Sequence, residues 1–115
     1  MRETNPSFMS GVPELLILRL IRDREMYGYE LVQAIQDQTS TVITLGEGVV
    51  YPVLHALERE GALQSRRKTV NGRSRVYYRL TANGSRRLAD LTGIWVKLTH
   101  AVQGVLAGVV DAKAI

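Results

Sequence analysis

The chain has no cysteine among its 115 residues, which excludes disulfide bonds and thiolate metal sites. Its most apolar early run, PELLILRLI, is too short to span a bilayer and is interrupted by Arg19. The first residues, MRETNPSFMS, lack the apolar segment of a signal peptide. These absences predict a cytoplasmic protein with no membrane partner.

Groups that support catalysis are also scarce. The two histidines, His55 and His100, are far apart in the sequence, and no phosphate-binding loop or paired-carboxylate pattern occurs. We therefore predict that the protein is not an enzyme and that it needs no metal or cofactor.

Acidic residues are missing from one long segment. The chain has 11 acidic residues and a net charge of +4, but none of the acids falls between Gly61 and Ala89. That segment carries eight of the 15 basic residues, namely Arg66, Arg67, Lys68, Arg73, Arg75, Arg79, Arg86 and Arg87. A block of positive charge beside a neutral remainder is typical of a surface that binds a polyanion. The alternative is a solvated face that only aids solubility, so the structure carrying the block is decisive.

Apolar spacing predicts three helices in the first half of the chain. They run from about Ser10–Pro13 to Arg24, from Tyr27 or Gly28 to Gln38, and within the stretch GEGVVYPVLHALEREGAL at 46–63, where Gly61 ends the helix. The segment RDREMYG between the first two helices is predicted to be a polar turn. The connection at 39–45 is predicted to be extended or loose.

After the third helix the apolar period becomes that of strands. We predict strands at Ala62–Lys68 and Ser74–Leu80, joined by Thr69–Arg73, in which Asn71-Gly72 is a strong hairpin signal. Three helices followed by a basic hairpin are the order of a winged helix-turn-helix, an α+β fold that is mainly α. Residues 1–80 are therefore predicted to form a DNA-binding domain with the third helix as recognition helix.

One face of that helix is unusual for a packing surface. At about 100° per residue, Val50, Val53, Leu54 and Leu57 face the core, and the opposite face holds Gly48, Tyr51, Pro52, His55 and Arg59. Glycine permits close approach to a phosphate, proline offers an apolar surface, and the other three side chains can reach phosphates or base edges. Each residue alone has an ordinary packing or surface interpretation. Together, and with Lys68, Arg73 and Arg75 of the hairpin, they predict a surface that contacts DNA.

The last segment, 81–115, is predicted to be one helix with Thr81 as its N-cap. Apolar residues recur at alternating steps of three and four, at Leu88, Leu91, Trp95, Leu98, Val102, Val105 and Val109. A lone helix cannot bury so long a stripe on a small domain. We predict a dimer interface built from Leu88 to Val105; the alternative is a helix folded back across the first three.

Three stretches resemble the PadR family of bacterial transcriptional regulators. They are MYGYELVQAI at 26–35, GEGVVYPVLHALEREGAL at 46–63 and GRSRVYYRLTANGSRRLADL at 72–91. The family's motifs match Gly28-Tyr29-Glu30-Leu31, then Tyr51, Pro52, Leu54, Leu57 and Gly61, and finally Tyr77, Tyr78, Leu80, Thr81 and Gly84. The match departs at Gly46 and Glu47, where the family often has Ser or Thr before Pro-Gly.

The resemblance implies a homodimer that binds double-stranded operator DNA, usually as a repressor and commonly of adjacent genes. It implies DNA contacts at Tyr29, Gly48, Val49, Tyr51 and Pro52 and in the wing, which is the predicted hairpin. The chain has a single helix after the wing, which is similar to the branch of the family with a short C-terminal part. In that branch this helix builds the dimer, and some members bind flat aromatic compounds between the two dimer helices. Trp95 is accordingly either an interface residue or part of a site for a small aromatic effector.

A second class of function stays open at this point, because winged helices also serve as protein-binding modules. The basic hairpin could meet an acidic protein instead of DNA. Salt-dependent binding to a promoter fragment distinguishes the two, since release of counterions ties affinity to phosphate contacts.

Overall fold

The computed structural model describes residues 11–114, with side chains described for 11–108. The elements are α1 (Val12–Asp23), β1 (Met26–Tyr27), α2 (Gly28–Gln38), α3 (Glu47–Arg59), β2 (Leu63–Val70), β3 (Arg73–Leu80) and α4 (Ala82–Ala114). The strands form an antiparallel sheet in the order β1-β3-β2. Three helices with a β-hairpin and a long final helix are a winged helix-turn-helix, so the predicted fold class is confirmed. The first helix begins at Val12, within the predicted range Ser10–Pro13, of which only Ser10 lies outside the described part.

The turn predicted between the first two helices contains a strand instead. Met26 pairs with Tyr78 and Tyr27 pairs with Tyr77, and the Met26 side chain is 3% exposed. A two-residue strand is too short to show an alternating pattern, and its pairing partners lie some 50 residues later in the chain. The prediction of a polar turn was therefore wrong at its C-terminal end.

The hairpin is tighter than predicted. β2 and β3 continue to Val70 and Arg73, which pair with each other, so only Asn71 and Gly72 remain in the turn. Both turn residues have positive φ, 52° and 76°. Such two-residue turns match the right-handed twist of the flanking strands, so pairing runs to the end of the hairpin.

The core lies among α1, α2, α3 and the inner face of the sheet. Its most deeply buried side chains are those of Ile17, Leu18, Leu31, Ile35, Leu45, Val50, Leu54 and Leu57, none more than 1% exposed. Val50, Leu54 and Leu57 come from the α3 face that was predicted to pack, whereas Val53 is only partly buried. This packing fixes the rotation of α3 about its axis and therefore which of its residues face solvent.

The first turn of α4 is attached to the turn that ends α3. The Thr81 hydroxyl accepts a hydrogen bond from the Gly84 N–H (3.0 Å) and donates to the carbonyl oxygen of Gly61 (2.6 Å), so Thr81 caps α4 as predicted. Gly84 packs so closely that an added Cβ would overlap the carbonyl oxygen of Ala62. The Arg87 guanidinium then bridges Glu14 of α1 and Glu60, at 2.5 Å each. The start of α4 is thereby held against both α1 and α3.

We expect Gly84→Ala to destabilise the protein by about 1–3 kcal/mol or more, because a methyl group there overlaps the Ala62 backbone. Gly93→Ala is the matched control, since Gly93 lies on the same helix and a Cβ added to it would meet nothing within 4 Å. That change should stabilise the protein by roughly 0.5–1 kcal/mol, the usual gain in a helix interior. Urea denaturation measures both, and equal effects of the two variants would contradict the close-packing argument.

Candidate nucleic-acid interface

A groove of about 590 Å³ lies between the wing and the first turns of α2 and α3, and we refer to it as the wing groove. Its walls are formed by Tyr27, Tyr29, Glu47, Tyr51, Arg67, Arg73, Ser74, Arg75 and Val76. Four residues predicted from the sequence to contact DNA, Tyr29, Tyr51, Arg73 and Arg75, therefore meet in one place. The surface is concave, aromatic and rich in arginine.

The outward face of α3 continues from this groove. Gly48, Pro52, His55 and Arg59 are all exposed, and Val49 is partly buried beside them. A Cβ added to Gly48 would meet nothing within 4 Å, so the backbone there is open to close approach by a ligand. The structure thus presents on one helix face the residues that were predicted to lie opposite the core.

Tyr51 is the exception on this helix, because its side chain is half-buried and does not stand clear of the domain. Its ring lies against Gly28 at the start of α2, with an interplanar angle of 46° to the His55 ring. At 100° per residue, position 51 follows Val50 directly and falls on the flank of the helix, not opposite the core. The sequence interpretation placed it too far round the helix.

The surroundings of Tyr51 oppose ionisation. Burial raises the pKa of the Tyr51 hydroxyl, and the negative charge of Glu47 raises it further. The hydroxyl therefore stays protonated at neutral pH and can donate a hydrogen bond to an acceptor. Glu47 itself is exposed in the wing groove, where it repels a phosphate but suits the positive end of α3.

The basic residues of the wing separate into two groups. Arg67, Arg73 and Arg75 line the wing groove, and the Arg75 guanidinium lies 4.3 Å from the ring centroid of Tyr27. Arg67 was counted in the basic block but was not singled out as a contact. In the register of the sheet Arg75 stands directly opposite Lys68, so the two groups differ in their pairing with an acid and not in the face of the sheet.

Glu25 holds the second group. Its carboxylate lies 2.6 Å from the Arg66 guanidinium and 2.8 Å from the Lys68 ammonium, which also lies 4.4 Å from the Tyr77 ring centroid. Hydrogen bonds from Arg66 and then from Lys68 lower the pKa of the Glu25 carboxyl from 4.5 to about 2. Lys68, predicted to contact DNA, is therefore already paired with an acid outside the wing groove.

The apolar stripe of α4 divides between the domain and solvent. Leu88 is 5% exposed and belongs to the core of the domain, and Leu91 packs against that core. The exposed fractions of the following residues are 42% for Trp95, 54% for Leu98, 50% for Val102 and 70% for Val105. The Val109 side chain lies outside the described part. Leu88 is therefore covered by the domain itself, and the predicted interface of the stripe stays a prediction.

Trp95 borders a small apolar groove where α1 meets α4. The groove measures about 180 Å³ and is lined by Gly11, Val12, Leu15, Leu91, Ile94, Trp95 and Leu98. Ile94, 62% exposed, was not identified from the sequence although it neighbours Leu98 on the helix surface. The exposed stripe is therefore wider than the heptad positions alone.

Two further findings concern residues 11–114. No group of three or more histidine, aspartate and glutamate side chains is placed to hold a metal ion. No helix in this part of the chain is long and apolar enough to cross a membrane.

Comparison with known proteins agrees with this geometry. Residues 17–90 match the model of the transcriptional regulator PadR-like family. The transcriptional regulator Rv3488 of Mycobacterium tuberculosis is 35% identical over 97 residues, which cover 84% of this chain and 88% of that protein.

Solved structures give the same result. A PadR-like transcriptional regulator from Bacillus cereus is 30% identical with a TM-score of 0.76, covering 87% of this chain and 96% of that one. A PadR family transcriptional regulator from Eggerthella lenta is also 30% identical, with a TM-score of 0.75 and coverage of 87% and 86%. The resemblance carried by the three motifs is thus confirmed over more than half of the sequence. The chain belongs to the PadR-like family of transcriptional regulators.

Proposed function

We propose that the protein is a homodimeric, sequence-specific DNA-binding regulator that represses adjacent genes. The observation that carries this proposal is the union of two features on one surface: the exposed face of α3 and the three arginines of the wing groove. A polyanion with a groove wide enough for a helix fits both features, and double-stranded DNA is such a ligand. A regulator bound to operator DNA works where the DNA is, which we expect to be the cytoplasm.

The exposed face of α3 is suited to the major groove. Pro52 can contact a thymine methyl group, and His55 and Arg59 can reach base edges or phosphates from the same side of the helix. Tyr29, 52% exposed at the start of α2, and the protonated Tyr51 can donate to phosphates at the edge of the contact. Base contacts on α3 would specify the sequence, and the flanking contacts would set its register.

The wing arginines can contribute binding affinity through their charge, but they do not determine which DNA sequence is bound. Arg67 and Arg73 face the wing groove and can neutralise phosphates, and the tip at Asn71 and Gly72 is narrow enough to follow the DNA backbone. Arg75 is held by the Tyr27 ring and so presents its guanidinium in a fixed direction. Lys68 and Arg66 contribute less in this proposal because both are paired with Glu25, which offsets one of their two positive charges.

Dimerisation through α4 is supported by the apolar residues that the protomer leaves uncovered. Ile94, Trp95, Leu98, Val102 and Val105 are each at least 42% exposed. A contiguous exposed apolar stripe of this kind marks an interaction site. A second copy of the same helix has the matching stripe, and a two-fold pairing would cover both at once.

Trp95 supports the further hypothesis of a small aromatic effector. Its half-exposed ring borders the apolar groove between α1 and α4, where a flat ring could stack on it. Trp95 is the sole tryptophan, so its fluorescence reports directly on this place. Quenching by a flat aromatic compound, saturable and coupled to release of DNA, would support the effector; quenching without loss of DNA binding would contradict its regulatory role.

We expect the double change Arg67→Ala and Arg73→Ala to flatten the salt dependence of DNA binding by about 1.8 in the log–log slope, since each lost phosphate contact removes about 0.9. The matched control is Arg66→Ala with Lys68→Ala, which removes the same number of positive charges from the two residues that are paired with Glu25. Its slope should stay close to that of the wild type. Titration of an upstream DNA fragment at several salt concentrations measures both.

Two results would count against these assignments. Equal flattening by both pairs would show that the two basic groups are not distinct. A wild-type protein whose binding to DNA has no salt dependence would favour the alternative, a winged-helix module that binds another protein.

We expect Leu98→Glu to convert the dimer to a monomer, because it places a charge in the middle of an apolar interface. Val96→Glu is the matched control. Val96 is 49% exposed against 54% for Leu98, but it lies about 160° away around the helix. Sedimentation should therefore show a monomer for the first variant and a dimer for the second; a dimer in both would exclude this stripe as the interface.

A further inference from the structure

Gly28, the first residue of α2, is in unusually close contact with α3. A Cβ built on Gly28 would overlap Cζ of Tyr51 and would lie 2.6 Å from both Cε1 and the hydroxyl oxygen of the same ring. Carbon atoms in van der Waals contact are about 3.5–4.0 Å apart, so no side chain fits between this backbone and the ring. The Tyr51 ring is therefore seated directly on the backbone of α2.

The backbone conformation of Gly28 does not require glycine. Positive φ among the described glycines occurs at Gly11, Gly61 and Gly72, and Gly28 is not one of them. Alanine is also the better helix former at an ordinary helical position. What glycine provides at position 28 is space, and the group that uses the space is the Tyr51 ring.

A ring displaced from this seat cannot move toward the core. On the inner side of α3, Val50 and Leu54 are 0% exposed, so the core is filled. On the outer side lies the wing groove, which Tyr51 lines together with Tyr29 and Glu47. A larger residue at position 28 would push the ring out into that groove.

We propose that Gly28 is a positioning residue for DNA recognition: it lets the Tyr51 ring lie directly against the backbone of α2, which keeps the wing groove open and directs the phenol toward its ligand. The inference rests on the proposed function for its consequence, but the contact itself is a property of the free protein. Gly28 acts through Tyr51 and touches no ligand in this proposal.

A double-mutant cycle tests the proposal. Gly28→Ala should weaken binding to a DNA fragment from upstream of the gene at least tenfold and should lower the melting temperature. In the Tyr51→Ala background the same change should have no further cost to either quantity, because the ring it displaces is absent. Tyr51→Phe keeps the ring atoms that clash, so Gly28→Ala should remain harmful in that background.

Gly93→Ala serves as the control for adding a methyl group to a helical glycine, since its Cβ is in open space. It should leave DNA binding unchanged and should not lower the melting temperature. Gly28→Ala alone could prevent folding. In that case, a cooperative melting transition in the double variant Gly28→Ala, Tyr51→Ala would support the contact between Gly28 and the Tyr51 ring.

The outcomes distinguish this inference from the proposed function. Additive losses in melting temperature would show that Gly28 does not serve Tyr51, and would overturn the inference whatever the protein binds. Coupling in melting but additive losses in DNA affinity would overturn the positioning role. Failure of the wild-type protein to bind DNA, with coupling intact in melting, would overturn the proposed function and with it the role of the seat in recognition.

Discussion

The close approach of α4 to the turn that ends α3 is the constraint on which the remaining geometry depends. Gly84 lies against the Ala62 carbonyl, and the Thr81 hydroxyl joins the end of one element to the start of the next. Because the first contact joins backbone atoms on both sides, motion of side chains alone cannot relax it. The direction of α4 is therefore fixed relative to α3, and in the proposed dimer the pairing of two α4 helices also sets the separation of the two recognition helices.

The distribution of positive charge depends on the acidic partners of the basic residues as well as on where those residues lie. The basic block offers eight cations, but Glu25 pairs with Arg66 and Lys68 and offsets one of their two positive charges, and Glu14 and Glu60 both pair with Arg87. These pairs lie at the surface and contribute little to stability individually. They affect where positive charge is available to a ligand, and Arg67, Arg73 and Arg75 are the charges that face the wing groove.

The sequence was most informative where a regular period continued for several turns. The helices were predicted within a few residues, and the core face of α3 was correct at Val50, Leu54 and Leu57. It was less informative where one residue lies between two faces, because a helical wheel has no sharp boundary: Tyr51 at about 100° from Val50 belongs to both the core edge and the groove.

Interactions between distant segments were the other limit. Glu25 lies in a stretch that resembles an ordinary polar turn, and nothing local shows that it meets Arg66 and Lys68 more than 40 residues later. The same applies to Leu88, which continues the heptad pattern of α4 but packs into its own domain because the cap at Thr81 directs the first turns of the helix toward the core. A pattern along one helix predicts which residues share a face, but only the tertiary contacts determine which part of that face remains exposed.

Prediction from the sequence was weakest where the proposed recognition depends on several elements at once. The groove needs α2 to provide a bare backbone at Gly28, α3 to provide the Tyr51 ring and the wing to provide Arg67 and Arg73. Each element alone has a simpler explanation in terms of packing or solubility. The deeply buried contacts of α3 come from Val50, Leu54 and Leu57, and neither Arg67 nor Arg73 takes part in them. We therefore propose that these elements converge on one surface, next to a helix face that the core leaves free, because together they bind DNA.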